Sequence, residues 1–286
     1  MVITVGIAVI TGKFARLVMK HLLASQEVSI RGFCRNPSKL PEHLLNSSRV
    51  TIISGDADDL DTLRQTEAPR RCVRARVCAS VHRLDYTKLE YGQHPAKDPM
   101  KHVKAYLETK KNVKGVHVLI GAFMETFWSG YFGLFDSKDY KFSFYGTGDE
   151  IWESTTYGTA AQYVAAVALD RNAVGLLHFL GDRKTTRQIA DEFAEVYGKR
   201  AKLERKGSLD DLYNTMQAAL KKDPSDIYSY LALFYQYYCT NGQTYLKKEQ
   251  DNARYPSVKP ISFKDFMQTL EIDELNVAYQ NLGLES

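Results

Sequence analysis

The stretch "GIAVITGKFA", residues 6–15, decides how the rest of the chain is read. An apolar run, "VITVGIAVI" at 2–10, leads into it, and "GKFARLVMKHLLAS" at 12–25 leaves it with Phe14, Leu17, Val18, His21 and Leu22 on one helical face. The run is too short to span a bilayer and an amphipathic pattern follows it, so it reads as a buried strand turning into a helix. A glycine at such a turn lets the backbone approach a phosphate, and the unbonded N–H groups of the helix start can receive its oxygens. The glycines do not fit G-x-G-x-x-G. A register with Val9, Gly12 and Ala15 in the three small-residue positions fits better. A glycine present for steric reasons alone is the competing reading.

Outward from this turn, short apolar runs alternate with helical patterns. "EVSIRGFCR" (27–35) and "RVTIISGD" (49–56) read as strands, with the turn and short helix "NPSKLPEHLLN" (36–46) between them. Parallel strands need crossovers of a dozen or more residues, so a doubly wound parallel sheet is expected. Later segments repeat the theme: helices at 100–114 and 124–135, a strand at 116–122, β segments at 140–146 and 150–155, a helix at 159–170 and a strand at 175–182. Thr185 and Gln188 stand in capping-box spacing ahead of a helix that Gly198 ends. Helices at 208–223 and 224–240 follow. The second is crowded with Tyr228, Tyr230, Phe234, Tyr235, Tyr237 and Tyr238, which suits helix packing and leaves a lid or homodimer surface as the other reading.

The second strand ends in Arg35, with Lys39 shortly beyond it. At this place a dinucleotide fold carries an acid for a ribose 2′-hydroxyl or a cation for the 2′-phosphate of NADP. Arginine suits phosphate bidentately, so NADP is the expected cofactor, against the plainer reading of two solvated cations.

Together, "ITGKFARLV", "GFCRNPSKL", "IISGDADDLDTL", "VLIGAFMETF" and "FYGTGDEIWESTTYGTAAQYVAAVALD" resemble the NmrA-like and isoflavone-reductase-like proteins, atypical short-chain dehydrogenases. The resemblance covers most of residues 1–270, with one interruption. It implies an NADP-binding Rossmann domain over 1–145, with 146–182 returning partly to it. A smaller α+β C-terminal domain would follow, its mainly helical substrate-binding region at 183–286. It also implies an NADPH-dependent oxidoreductase reducing a small organic intermediate, of the kind found in fungal secondary-metabolite biosynthesis. The alternatives are a non-catalytic NADP-binding redox sensor and an inactive truncated member. By the resemblance, Thr11, Gly12, Lys13 and Phe14 line the pyrophosphate, Arg35 and Lys39 hold the 2′-phosphate, and Asp56 lies near the adenine.

The Tyr-x-x-x-Lys proton relay is absent, because "YTKLE" has Glu90 at the lysine position. Reductase members use a lysine on a later helix, and Lys104 matches it. Beside nicotinamide, a lysine can orient the ribose and stabilise charge on a carbonyl oxygen or supply a proton. The same spacing fits an ordinary exposed pair with Glu108. Phe123 and Met124 follow a buried strand at the carboxyl edge, where open α/β sheets bind ligands. They read either as the floor of a nicotinamide or substrate site, or as core at a helix start.

The interruption is "EAPRRCVRARVCASVHRLDY", residues 67–86. The resemblance implies a strand, a helix and another strand between the third strand and the "LDYTKL" loop, and this segment has room for one strand. Val73, Ala75, Val77 and Ala79 alternate with Arg74 and Arg76, which are poor residues for the centre of a covered sheet. One βα unit around 65–84 is therefore expected to be missing. A damaged cofactor crevice, local instability or both are expected, since the lost strand would lie beside the first.

A net charge of +4 is too small to imply a nucleic-acid or anionic-membrane partner, and no docking element for DNA is evident. Cys72 and Cys78 have no companion pair at zinc spacing, so no metal is expected. Four scattered cysteines with no recognisable secretory leader suggest a reducing compartment, the cytoplasm by default. The expected partner is a small-molecule substrate.

Overall fold

The computed structural model describes residues 3–56, 58–59, 61–62 and 76–282, with the side chains of 76–82 excepted. The expectations for Cys72, Val73, Arg74 and Ala75 therefore lie outside the described residues, as do those for the side chains of Arg76, Val77, Cys78 and Ala79. In chain order the first elements are β1 (Ile3–Ala8), α1 (Lys13–Leu23), β2 (Val28–Cys34), α2 (Glu42–Leu45) and β3 (Val50–Ser54). Next come β4 (Arg76–His82), α3 (Asp98–Glu108), β5 (Lys114–Leu119), β6 (Ala122–Phe123), α4 (Met124–Trp128), β7 (Phe135–Asp136) and β8 (Lys141–Tyr145). Then follow β9 (Ile151–Thr155), α5 (Tyr157–Leu169), β10 (Gly175–His178), β11 (Asp182–Thr185), α6 (Thr186–Tyr197) and β12 (Lys202–Gly207). The chain continues through α7 (Leu209–Lys222), α8 (Ile227–Thr240), α9 (Phe263–Met267) and α10 (Ile272–Leu275).

The expected α/β class with a parallel, Rossmann-type sheet is found, and the sheet is in two pieces. One piece is β1-β2-β3, the other β10-β5-β4, and every neighbouring pair in both is parallel. Among the described residues β1 is paired on one edge only, with β2, and no ladder joins it to β4. Burial follows this break. The buried strand expected over 2–10 is therefore a strand but not a buried one: no residue of β1 is buried, whereas Val28, Ile30, Gly32, Phe33 and Cys34 of β2 are. Between β3 and the "LDYTKL" loop the described residues hold one strand, β4, where the resemblance implies two with a helix between them. Among the described residues that edge of β1 has no ladder partner, at the place where such a sheet opens its ligand crevice.

Two small sheets complete the fold. β11 and β6 flank β9, the first antiparallel and the second parallel to it, while β12 and β7 flank β8. Two apolar cores result. Leu17, Val18, Leu22, Val28, Ile30, Val118, Ala161, Tyr163 and Phe179 pack α1 and α5 onto the parallel strands. Phe127, Trp128, Phe142, Trp152, Phe193, Phe234 and Phe263 make an aromatic core under α4, α6, α8 and α9. The cores meet along residues 118–124, where alternation splits neighbours between them. Val118, Ile120 and Phe123 face the first, and Leu119, Ala122 and Met124 the second.

Local chemistry sets the helix ends. Thr185 accepts the Gln188 N–H at 3.1 Å, Gln188 Oε1 accepts the Thr185 N–H at 2.9 Å, and Gly198 closes α6 at φ 65°. Such a cap contributes about 1 kcal/mol. The helix expected over 124–135 ends at Trp128 instead, because Phe132, Leu134 and Phe135 must turn back into the aromatic core. Asn276 donates to the Trp128 carbonyl and Gln236 to that of Phe132, both at 2.8 Å, so the carbonyls freed by the early stop stay bonded. In α8, Tyr230, Phe234, Tyr235 and Tyr238 are buried, which supports helix packing for most of the aromatic run, while Tyr228 is exposed. Among the described residues no helix is long and apolar enough to cross a membrane, and no group of three or more His, Cys, Asp or Glu side chains gathers as a metal site.

Candidate functional site

The turn after β1 is built as the sequence suggests, with one strained residue. The Gly12 N–H donates to the Val9 carbonyl at 3.0 Å, and the Ile10 N–H donates to Phe33 O at 3.1 Å on β2. Ile10 is fully buried over Gly32, where an added Cβ would come within 2.0 Å of Ile10 Cδ1. Gly12 caps α1 without any side-chain hydrogen bond, and the first turn of α1 carries no acidic residue. Its N–H groups therefore present positive potential to an anion.

Val9 sits at φ 55°, a left-handed conformation costly for a β-branched residue, and is 69% exposed. Val9→Gly is expected to stabilise the chain by about 1 kcal/mol, since the strain released exceeds glycine's entropic cost. The thermal midpoint should rise by roughly 2–4 °C. A lower midpoint would mean that the Val9 side chain packs usefully.

Because β1, β2 and β3 are adjacent and in parallel register, their carboxyl ends set Thr11, Arg35 and Asp56 along one edge. Arg35, Lys39 and Asp56 are exposed there. Asn36 Oδ1 accepts the Ser38 N–H at 3.0 Å and fixes the turn that carries Lys39.

An aromatic stack ties this turn to the carboxyl end of β5. Phe14 lies 5.5 Å from Phe123 and 6.1 Å from Tyr157, and Phe123 and Tyr157 are stacked at 3.7 Å. Tyr157 opens α5, and its N–H donates to both oxygens of Glu125 at 2.9 and 3.0 Å. Burial pushes the Glu125 carboxyl up to about 7, against the opposing pull of its backbone hydrogen bonds. Arg83 follows β4 and lies over three rings, 5.4 Å from Phe123, 5.8 Å from Tyr131 and 5.1 Å from Tyr235, with the Tyr157 and Tyr131 hydroxyls as hydrogen-bonding neighbours. Lys97, just ahead of α3, is buried with its Nζ 5.0 Å from the Tyr235 ring. Tyr279 closes the cluster from the C-terminal side, 5.5 Å from Tyr157, and its carbonyl accepts from Lys13 Nζ at 3.1 Å.

The structure thus brings Thr11, Gly12, Lys13, Phe14 and Phe123 to one place. Met124 turns the other way and is fully buried in the aromatic core. Lys104 pairs with Glu108 through its Nζ, and this hydrogen bond holds the Glu108 carboxyl below its usual range. Both line a groove of about 190 Å³ with Tyr86, Thr87, Tyr91 and Lys101, and none of Phe14, Phe123 and Tyr157 lines it. Since α3 leads into β5, its first turn marks the carboxyl edge, and Lys104 lies about 9 Å further along the helix axis than Asp98.

Sequence reasoning missed Arg83, Lys97, Glu125 and Tyr157, and read Tyr235 only within an aromatic run suited to helix packing, a lid or a homodimer surface. Arg83 was hidden among the arginines of the interruption, although the apolar alternation ahead of it stops at Val81. Glu125 carried a signal, a lone acid within the otherwise apolar "AFMETFW" at 122–128.

Residues 10–87 match the NAD(P)H-binding family. Among solved structures the chain is similar to an isoflavone reductase, with TM-score 0.73 and 16% identity over 94% of this chain and 99% of that one. It is also similar to an NADPH-dependent quinone oxidoreductase from Escherichia coli, with TM-score 0.69 and 16% identity over 96% and 99% of the two chains. A third is the triphenylmethane reductase of Citrobacter sp. complexed with NADP(H), with TM-score 0.67 and 16% identity over 94% and 100%. No curated protein matches the chain by sequence. At such identities the likeness is one of fold. The chain has a Rossmann-like NAD(P)-binding fold, of the form seen in isoflavone reductase.

Proposed function

We propose that the chain is an NADPH-dependent reductase of a small organic molecule, as the resemblance to secondary-metabolite enzymes implies. The observation that carries this is the Phe14–Phe123–Tyr157 stack, which joins an uncapped helix N-terminus to the carboxyl end of β5. The residues present fit a dinucleotide. α1 offers free N–H groups with no competing acid, and Arg35 and Lys39 stand exposed where a 2′-phosphate would lie. In this reading residues 1–145, with part of 146–182, hold the cofactor, and 183–286 shape the substrate side.

When bound, NADPH supplies a hydride. Thr11, Gly12, Lys13 and Phe14 would hold the pyrophosphate, Arg35 and Lys39 the 2′-phosphate, and Asp56 would lie toward the adenine. Phe123 would form the floor of the nicotinamide or substrate site and keep water from it, with Met124 backing Phe123 from the second core. The orienting and charge-stabilising role that the resemblance gives Lys104 requires its side chain to leave both Glu108 and the separate groove it lines with Tyr86 and Tyr91.

A second reading, a non-catalytic NADP-binding sensor, is favoured by that ion pair and by the break between β1 and β4. NADPH oxidation followed against a panel of quinones and conjugated ketones separates the two. The reductase reading expects turnover that Lys104→Ala lowers at least about 10-fold with NADPH affinity kept. Saturable NADPH binding without oxidation would replace it with the sensor reading.

A further inference from the structure

Arg83 and Lys97 share one aromatic ring, 5.1 and 5.0 Å from the centre of Tyr235, so the two cations lie within about 10 Å of each other. Neither has a carboxylate partner among the described residues. Glu153 on β9 is already committed to Arg183 and to the Leu246 N–H, and Glu125 to the Tyr157 N–H. Lys97 is buried and Arg83 half-buried; desolvated cations without a counter-charge are unfavourable, and ring faces offset only part of the cost. Beside them His94 is fully buried, its ring 4.7 Å from Tyr235, and both of its ring nitrogens lack a partner. Burial, with Lys97 alongside, holds His94 down to about 3, so it brings no third charge. Its nitrogens remain a donor and an acceptor awaiting a ligand.

Apolar walls surround these groups. Phe123, Tyr157, Tyr131 and Tyr235 frame Arg83, and the Phe123 face also belongs to the proposed nicotinamide site. A planar guanidinium grips a carboxylate in two parallel hydrogen bonds, and stacked rings accept a flat aromatic body.

We propose that Arg83 and Lys97 form a subsite for the carboxylate of an aromatic acid, whose ring lies among Phe123, Tyr131 and Tyr235. The assignment rests on the reductase reading in placing this acid as substrate beside the nicotinamide; binding of the acid does not depend on it.

Titration calorimetry on the full chain, with benzoate against the neutral benzamide and without cofactor, tests the subsite. Benzoate is expected to bind at least about 10-fold more tightly. Arg83→Gln should erase that difference, Lys97→Gln should reduce it by roughly 3-fold or more, and Arg83→Lys should retain part of it. Equal affinity for the two probes, or a difference that survives in a folded Arg83→Gln protein, overturns the proposal. Repeating the titration at saturating NADPH fixes the source of the anion. Retained benzoate binding supports a substrate acid, and competitive loss would assign the cations to a cofactor phosphate and overturn it. NADPH binding measured separately keeps failure of this subsite distinct from failure of the reductase reading.

Discussion

Gly121→Ala is expected to destabilise the chain by more than about 3 kcal/mol and to disorder the floor of the site. Gly121 has φ 67°, and a Cβ there would meet the Glu153 carbonyl oxygen at 2.3 Å and its carbon at 2.7 Å. Those are backbone atoms of β9 and cannot swing aside. The loop is pinned on both flanks, by Thr155 Oγ1 donating to the Ile120 carbonyl at 2.7 Å and by Phe123 pairing with Thr155 in the β6–β9 ladder. Relief must therefore move Phe123 off Tyr157. Urea unfolding should show the stability loss, and near-ultraviolet circular dichroism the loss of the aromatic stack. A cost below about 1 kcal/mol would mean that the β5–β6 loop is looser than its contacts indicate.

The second large effect is a dependence on pH from Glu125. Its carboxyl binds a proton more tightly folded, at about 7, than unfolded, near the ordinary value of 4.5. The native state thus holds more protons across that window, and stability falls as pH rises. The contribution is fully present below about pH 4.5 and lost as pH passes through 7, a change of about 3 kcal/mol. Glu125→Gln removes the titration and keeps an oxygen for the Tyr157 N–H. The stability of the variant relative to wild type should therefore increase between roughly pH 5 and pH 8, by an amount approaching that figure. Parallel stability curves would show that Glu125 does not titrate in this window.

Much of the fold was legible because local chemistry and burial agree. The α1 face and the Thr185–Gln188 cap each state one structure, and each forms, whereas the β1 run forms its strand without the burial its apolar residues suggest, having among the described residues a single neighbour, β2. Where they disagree the sequence misleads. "METFWSGYFGLF" has a helical apolar pattern, yet its second half is drawn into the aromatic core by contacts with α8 and with Asn276, far away in sequence. Strand β12, "KLERKG", shows no apolar alternation because it is a charged, exposed edge beside β8, so nothing in its pattern marks it. At the site, the turn and the basic pair after β2 could be read from spacing. Arg83, Lys97 and Tyr235 could not, since three segments that share no motif meet only in the folded chain. The arginine-rich interruption, for its part, ends in a residue with a place in the site, Arg83.

The break between β1 and β4 and the strained Val9 both bear on cofactor affinity, so NADP recognition is tested by binding rather than by turnover. A fluorescence titration of the intact chain with NADPH and with NADH, repeated on Arg35→Ala, measures it directly. NADPH is expected to bind saturably, with NADH at least about 10-fold weaker and Arg35→Ala lowering NADPH to the NADH level. Equal affinity for the two nucleotides, an NADPH preference that survives Arg35→Ala, or no NADPH binding up to about 1 mM would contradict it.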